Sequence, residues 1–348
     1  MNYLLKKTFY ACLVLLGVVM LVFIMFQGFG DPARLIAGQT GDKKTMDNIR
    51  KDLYLDKPKW KQFLLYLNDV SPISLHTKED IKKKELKGFF IGGNTKLAIK
   101  IPYLRKSYQT KKNTIDVLAE ALPGTILLAV TAMLFACIVG IFLGVISAVK
   151  KDTWMDNTAV FSSIAGISAP SFFMAIIIAY FFGIVLHRYT GLNLTGSLYE
   201  IDEVTGEKYL AIKNLILPAF TLGIRPLAVI TQLTRSSMLD VLGQDYIRTA
   251  YAKGLSKNKI IFKHALRNAL NPVITAITGW FAELLAGAFF VEYIFGWKGI
   301  GKTTVDALEK LDYPVVMGAV LLSAFIFIFI NIFADVLYRL IDPRIRVQ

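Results

Sequence analysis

Residues 8–30, 121–149, 159–186 and 313–334 of this chain contain no Asp, Glu, Lys or Arg. An α-helix needs about 20 apolar residues to cross a bilayer, and each of these runs is longer. Lipid offers the backbone no hydrogen-bond partner, so runs of this kind fold as helices. Two further spans are less clean: 214–234 contains Arg225, and 268–293 contains Glu283 and Glu292. With 54% hydrophobic residues in a chain of 348, the expected fold is an all-α polytopic membrane protein with six transmembrane helices.

Lys6-Lys7 precede the first span, whose apolar run is longer than the core of a signal peptide and is followed by no small-x-small cleavage site. It reads as a retained helix. Positive residues in short loops then set the orientation: Lys150-Lys151, the basic 245–272 stretch, and Arg339, Arg344 and Arg346 face the cytoplasm, as do both termini. Residues 31–116 carry 19 Lys/Arg against 10 Asp/Glu, a net +9, and fall outside. Long loops translocate largely regardless of charge, so this does not overturn the orientation. The same segment supplies nine of the chain's +14. The basic balance therefore does not signal nucleic-acid binding. Cys12 and Cys137 lie in apolar spans at no disulfide or metal spacing and read as packing residues.

The stretch 245–272 is a basic amphipathic island between two spans. Gly254 suits a left-handed helix end and Ser256 the cap of a following helix. In that second helix Ile261, Phe262, Ala265, Leu266, Ala269 and Leu270 form one apolar stripe, with Lys259, Lys263 and Arg267 opposite. The pattern is that of a docking element for a soluble partner. It resembles the EAA loop of ABC-transporter permeases in the oligopeptide/dipeptide/nickel importer family. The small-residue triplet falls at Arg248-Thr249-Ala250, the glycine at Gly254, and His264-Ala265-Leu266-Arg267 follows. Arg248 and Arg267 stand where the general pattern has Glu and Pro, a wording common in the peptide-importer subfamily. Gly30-Asp31-Pro32, Phe295-x-Trp297-x-Gly299-x-Gly301, Asp312-Tyr313-Pro314 and Asp342-Pro343-Arg344 also match family elements.

The resemblance implies the first (B-type) of two permease subunits in a bacterial cytoplasmic-membrane importer of di- or oligopeptides, or of a related solute such as nickel. It is not itself an enzyme. Its implied partners are a second homologous permease, two ATPases that carry ATP and Mg, an external substrate-binding protein and the bilayer. Tyr246, Arg248, Thr249, Ala250, Lys253, Gly254, Leu255 and Ser256 would couple to an ATPase. The chain then divides into a first helix at 1–30, an external segment at 31–116, and a permease core at 117–348 whose coupling loop is 239–271. Within the external segment 31–70 is family-like and 71–116 is an insertion, either a small β-rich unit or a loop. Helices at 47–55 and 60–67 are expected there, the second packing through Trp60, Phe63, Leu64 and Leu67.

Residues 296–303 satisfy G-x-x-x-x-G-K-[ST] letter for letter. That motif cradles phosphate only at a strand-to-helix turn, and no strand–helix alternation surrounds it here. A packing turn in an outer hairpin is the expected role. Arg225 and Glu283 are candidates for the translocation pathway or for an ion pair with each other, since charges at bilayer depth face protein or water. Three histidines in all, with no H-E-x-x-H and no G-x-S-x-G, leave no basis for a hydrolase. Two other classes fit an ordinary polytopic chain: an ion-coupled secondary transporter using Glu283 and Asp335, and a non-transporting scaffold.

Overall fold

The computed structural model describes residues 2–28, 46–47, 50–51, 53–202, 205–286 and 288–341. The Gly30-Asp31-Pro32 and Asp342-Pro343-Arg344 elements lie outside them, as does part of the helix expected at 47–55. The chain is mostly helical, and two small sheets correct the all-α expectation. It divides into two compact units, one of residues 1–121 with 303–325, the other of residues 122–302 with 326–348.

In the first unit, helix α1 (Asn2–Gly28) contains the apolar span Leu5–Met25. Cys12 is exposed on its surface and does not pack inside the chain. Helix α2 (Lys59–Val70) meets it through Phe63 and Tyr66, whose rings lie 5.3 and 5.9 Å from that of Phe23. Only half of the expected apolar face of α2 packs, with Phe63 and Leu67 half-buried. Trp60 and Leu64 are exposed, while Gln62, Tyr66 and Asp69 are buried. The reason is polar: Asp69 pairs with the Lys84 ammonium at 2.5 Å and accepts from the Tyr54 hydroxyl at 3.4 Å, while its backbone carbonyl accepts from Lys100.

Strands β1 (Ile73–Thr77), β2 (Gly88–Gly92) and β3 (Thr95–Lys100) form an antiparallel sheet in the order β1-β3-β2, with helix α3 (Lys78–Lys84) between β1 and β2. Gly92-Gly93-Asn94 makes the β2–β3 turn, and Gly92 has φ +126°. The register sets Ile73, Ile99 and Phe89 in one row and Leu75, Leu97 and Ile91 in the next. All six are exposed, Phe89 at 79% and Ile91 at 68%. The opposite face, with Ser74, His76, Ala98 and Lys100, is buried. An ordinary half-buried sheet has the reverse arrangement, apolar side in and polar side out. The unit closes on Asp312, whose carboxylate accepts from the Ser107 hydroxyl and from the Tyr108 amide at 2.8 Å.

The second unit holds most of helix α4 (Thr114–Val149), which begins in the first. Next come α5 (Trp154–Ser168) and α6 (Ser171–Tyr180), the latter extended by a π-helical turn at Phe181–Val185. The uncharged run at 159–186 is thus two helices bent by 108°. Pro170 is the cause, because it excludes helical backbone at Ala169, which is extended at φ −78°, ψ 131°. Among the described residues five helices are long and apolar enough to cross a membrane, or six if this bent pair is taken as one span. After a short helix α7 (His187–Thr190) and the hairpin β4 (Tyr199–Ile201)–β5 (Lys208–Leu210) comes α8 (Lys213–Leu242).

Gly140 and Gly144 bring α4 against α8: a Cβ on either would press on Ile230 and Leu227, or on Thr234 and Thr231. Small residues four apart serve this purpose in membrane helices, where packing replaces the hydrophobic effect as the drive to associate. Across the same packing Arg235 of α8 donates Nε and Nη2 to the two oxygens of Asp156 on α5, at 2.6 and 2.7 Å. The Ser147 hydroxyl of α4 and the Asp152 amide complete that carboxylate's shell.

His76 provides a pH test of the first unit. Burial, followed by the charges of Lys84 and Lys100, holds its imidazole below the usual value, against weaker opposing pulls from Asp69 and Asp80. A lowered folded-state pKa means the unfolded chain binds the proton more readily, so stability is lost as pH falls through 6.5. Hydrogen-exchange protection of β1 and β3 is expected to drop as pH falls below 6.5, and His76→Gln to remove that dependence.

Candidate functional site

Helix α9 (Asp245–Ala252) follows α8 and buries Ile247 and Ala250. They join Val145 and Ala148 of α4, Met238 of α8, and Ile260, Ile261 and Ala265 in one apolar cluster. Gly254 then turns the chain at φ +74°, with its amide on the Tyr251 carbonyl at 2.9 Å and the Leu255 amide on that of Ala250 at 3.3 Å. A left-handed residue here ends one helix and frees the chain to start another. Ser256 has the extended backbone of a capping residue, but its side chain makes no cap bond, contrary to expectation.

The second helix begins as α10 (Lys257–Lys259), widens into a π-helical stretch at Ile260–Ala265 and continues as α11 (Leu266–Ala286). The wide turn shifts the stripe read from an α period. Ile260 and Ala265, five apart, share the buried face, while Phe262 is 58% exposed. Lys259, Lys263 and Arg267 are exposed as expected.

The eight residues expected to couple divide by burial. Tyr246, Arg248, Thr249, Lys253, Gly254 and Ser256 are exposed, whereas Ala250 is buried and Leu255 half-buried in the anchoring cluster. Asn268 donates to the Tyr246 hydroxyl at 2.9 Å, holding the first helix to the second. Among the described residues Arg248 pairs with Asp245, at 3.4 Å on an exposed surface. Such a pair contributes little and leaves the guanidinium available.

Arg225 and Glu283 line one cavity but form no ion pair with each other among the described residues. Glu283 is exposed and Arg225 half-buried, its guanidinium 5.7 Å from the centre of the Trp280 ring.

The motif at 296–303 is occupied from within. Glu292, on helix α12 (Phe289–Ile294), is fully buried. Its carboxylate accepts from the Thr125 hydroxyl at 2.8 Å and from the Lys302 amide at 3.1 Å, and Thr125 in turn accepts from the Ile300 amide at 2.8 Å. Trp297 Nε1 donates to the Gly124 carbonyl at 2.9 Å. The glycine turn therefore wraps a carboxylate of its own chain. Sequence reasoning noted Glu292 only as a charge within the 268–293 span and missed this, although an acid close before a glycine-rich turn was the available signal.

A family model described as "Binding-protein-dependent transport system inner membrane component" matches residues 140–347. The chain belongs to that family. A second model, for the N-terminal membrane component of such systems, matches residues 1–129 and so runs through the β1–β3 sheet. The permease is 35% identical to the dipeptide transport system permease protein DppB of Alkalihalophilus pseudofirmus over 348 residues, 96% of each chain. It is 37% identical to DppB of Escherichia coli K12 over 349 residues, 95% of this chain and 94% of that one. Among solved structures, a chain of the inward-facing MetNI methionine ABC transporter shares the fold at TM-score 0.50 and 16% identity, covering 66% of this permease and 97% of that chain.

A methyl group at Gly299 would run into the Glu292 carboxylate. Gly299→Ala is therefore expected to destabilise the purified permease by about 1–3 kcal/mol, read as a lowered melting temperature.

Proposed function

We propose that this chain is one of two homologous permease subunits of an ATP-driven ABC importer for di- and oligopeptides. Two ATPases dock on the cytoplasmic loop 239–271, and an external binding protein delivers substrate. The permease hydrolyses nothing; ATP and Mg belong to the ATPases. The observation that carries this reading is the loop: exposed polar residues around Gly254, anchored by Ile247 and Ala250 in a cluster that also contains α4 and α8 residues. Near full-length similarity to dipeptide permeases supports the substrate class, and neither a secondary transporter nor a scaffold is favoured by these relatives.

In this scheme residues 1–30 form the first span, 31–116 the external segment and 117–348 the core, with six spans and both termini cytoplasmic. Tyr246, Arg248, Thr249, Lys253, Gly254 and Ser256 meet an ATPase groove, while Ala250 and Leu255 transmit its movement to the spans. Arg225 and Glu283 line the pathway. A binding-protein-dependent system needs an external docking surface, and the uncovered apolar face of β1–β3, within a segment of net +9, supports that role.

Gly254 has room for a side chain but the wrong backbone for one. Gly254→Val is expected to reduce uptake at least about tenfold while membrane insertion and ATPase assembly persist. Gly254→Asn, which tolerates left-handed backbone, should retain most uptake. Normal uptake in the valine variant refutes the coupling role. Phe89→Asp and Ile91→Lys should weaken stimulation of ATP hydrolysis by the loaded binding protein several-fold and leave unstimulated hydrolysis unchanged. Unaltered stimulation would remove the sheet face from the docking surface.

A further inference from the structure

The cavity that holds Arg225 and Glu283 measures about 130 Å³ and lies among Ser171 at the start of α6, Leu222 and Arg225 on α8, Trp280 and Glu283 on α11, and Phe289 on α12. It brings one full positive and one full negative charge to the same walls. Arg225 sits within the apolar span Lys213–Leu242 and Glu283 within Lys257–Ala286. Ionised groups at such depth are costly unless they face a partner or water.

The simplest remedy would be to pair them, and the fold does not do so. No hydrogen bond or ion pair from the described residues reaches either head group, and the Arg225 Nε–H is buried without an acceptor. The Trp280 ring holds the guanidinium by its face, which leaves the in-plane donors unspent. Trp280 and Glu283 are three residues apart on one helix, so the carboxylate projects from the same side as that ring. The remaining walls are largely apolar and offer a passing side chain nothing specific to bind.

We propose that this cavity is a transit site for the two charged ends of a zwitterionic substrate, the Arg225 guanidinium taking a carboxylate and the Glu283 carboxylate taking an ammonium. The proposal rests on the peptide reading above and adds what the permease itself recognises: free termini, with indifference to side chains. Arginine suits the first role because its fork binds a carboxylate through two parallel hydrogen bonds. Holding the two charges apart keeps each available, and a zwitterion that bridges them neutralises both at once.

The test uses the complete transporter in proteoliposomes with three probes: Ala-Ala, N-acetyl-Ala-Ala and Ala-Ala amide. Each uptake rate is divided by the occupancy of the isolated binding protein with the same probe, which removes selection before the membrane. The unaltered transporter is expected to prefer the free dipeptide over either blocked form by roughly tenfold, the scale of one charge-assisted hydrogen bond. Glu283→Gln should abolish the preference over the acetylated probe and keep that over the amide. Arg225→Gln should do the reverse, and Arg225→Lys should retain a reduced preference over the amide. These are ratios within one preparation, so a lower yield of folded protein does not change them. Retention of both preferences in both glutamine variants overturns the proposal. A transporter that carries none of the probes before any substitution, while its ATP hydrolysis responds to the loaded binding protein, refutes the peptide reading itself, and the proposal falls with it.

Discussion

The contact between Asp156 and Arg235 sets the frame for the rest of the second unit. A carboxylate buried beside apolar helices is tolerable only if its oxygens are fully engaged, and here a two-pronged guanidinium, a serine hydroxyl and a backbone amide engage them. These partners come from α4, from α8 and from the turn before α5, and the carboxylate itself hangs from α5, so one side chain fixes the mutual position of three helices. Glycine packing between α4 and α8 works in the same direction, because their backbones approach too closely to slide without a clash. A soft joint at this end of the bundle would absorb a push instead of passing it on.

The loop that follows α8 depends on this rigidity. Ile247 and Ala250 are set into apolar side chains of the two helices that Arg235 and the glycines hold together. Both are almost fully buried there, so in the proposed scheme a displacement of α9 would be passed to α4 and α8. Gly254 lets the direction of the chain change beside this anchored helix. The hinge-like backbone and the tight packing lie within a few residues of each other, the combination a mechanical coupling needs.

Periodicity revealed the spans and the loop because both are local signals: uncharged length for the first, an apolar stripe against a basic one for the second. What it missed was either long-range or a local conflict. Asp156 and Arg235 are 79 positions apart, and nothing in either neighbourhood announces the other. The 108° bend was present in the sequence as Pro170, yet unbroken apolar composition outweighed it. Phe262 was assigned to the buried stripe because a π-helical turn changes the period for a few residues, a departure invisible to an α template. On α2, Trp60 and Leu64 were expected to pack because they are apolar. The need to satisfy Asp69 turned the helix the other way. The β1–β3 sheet could be suspected from its turn residues, but its reversal of polar and apolar faces required the register.

The wrapped turn around Glu292 has a consequence for how anion-binding motifs are read. Backbone amides arranged to receive an anion are indifferent to whether it arrives from solution or hangs from the same chain. A tethered carboxylate is present at a local concentration that no dissolved phosphate can match, so the seat is filled permanently and competition is settled at synthesis. What in another fold would sense a nucleotide level is here a fixed rivet, and the letters of the motif alone do not distinguish the two.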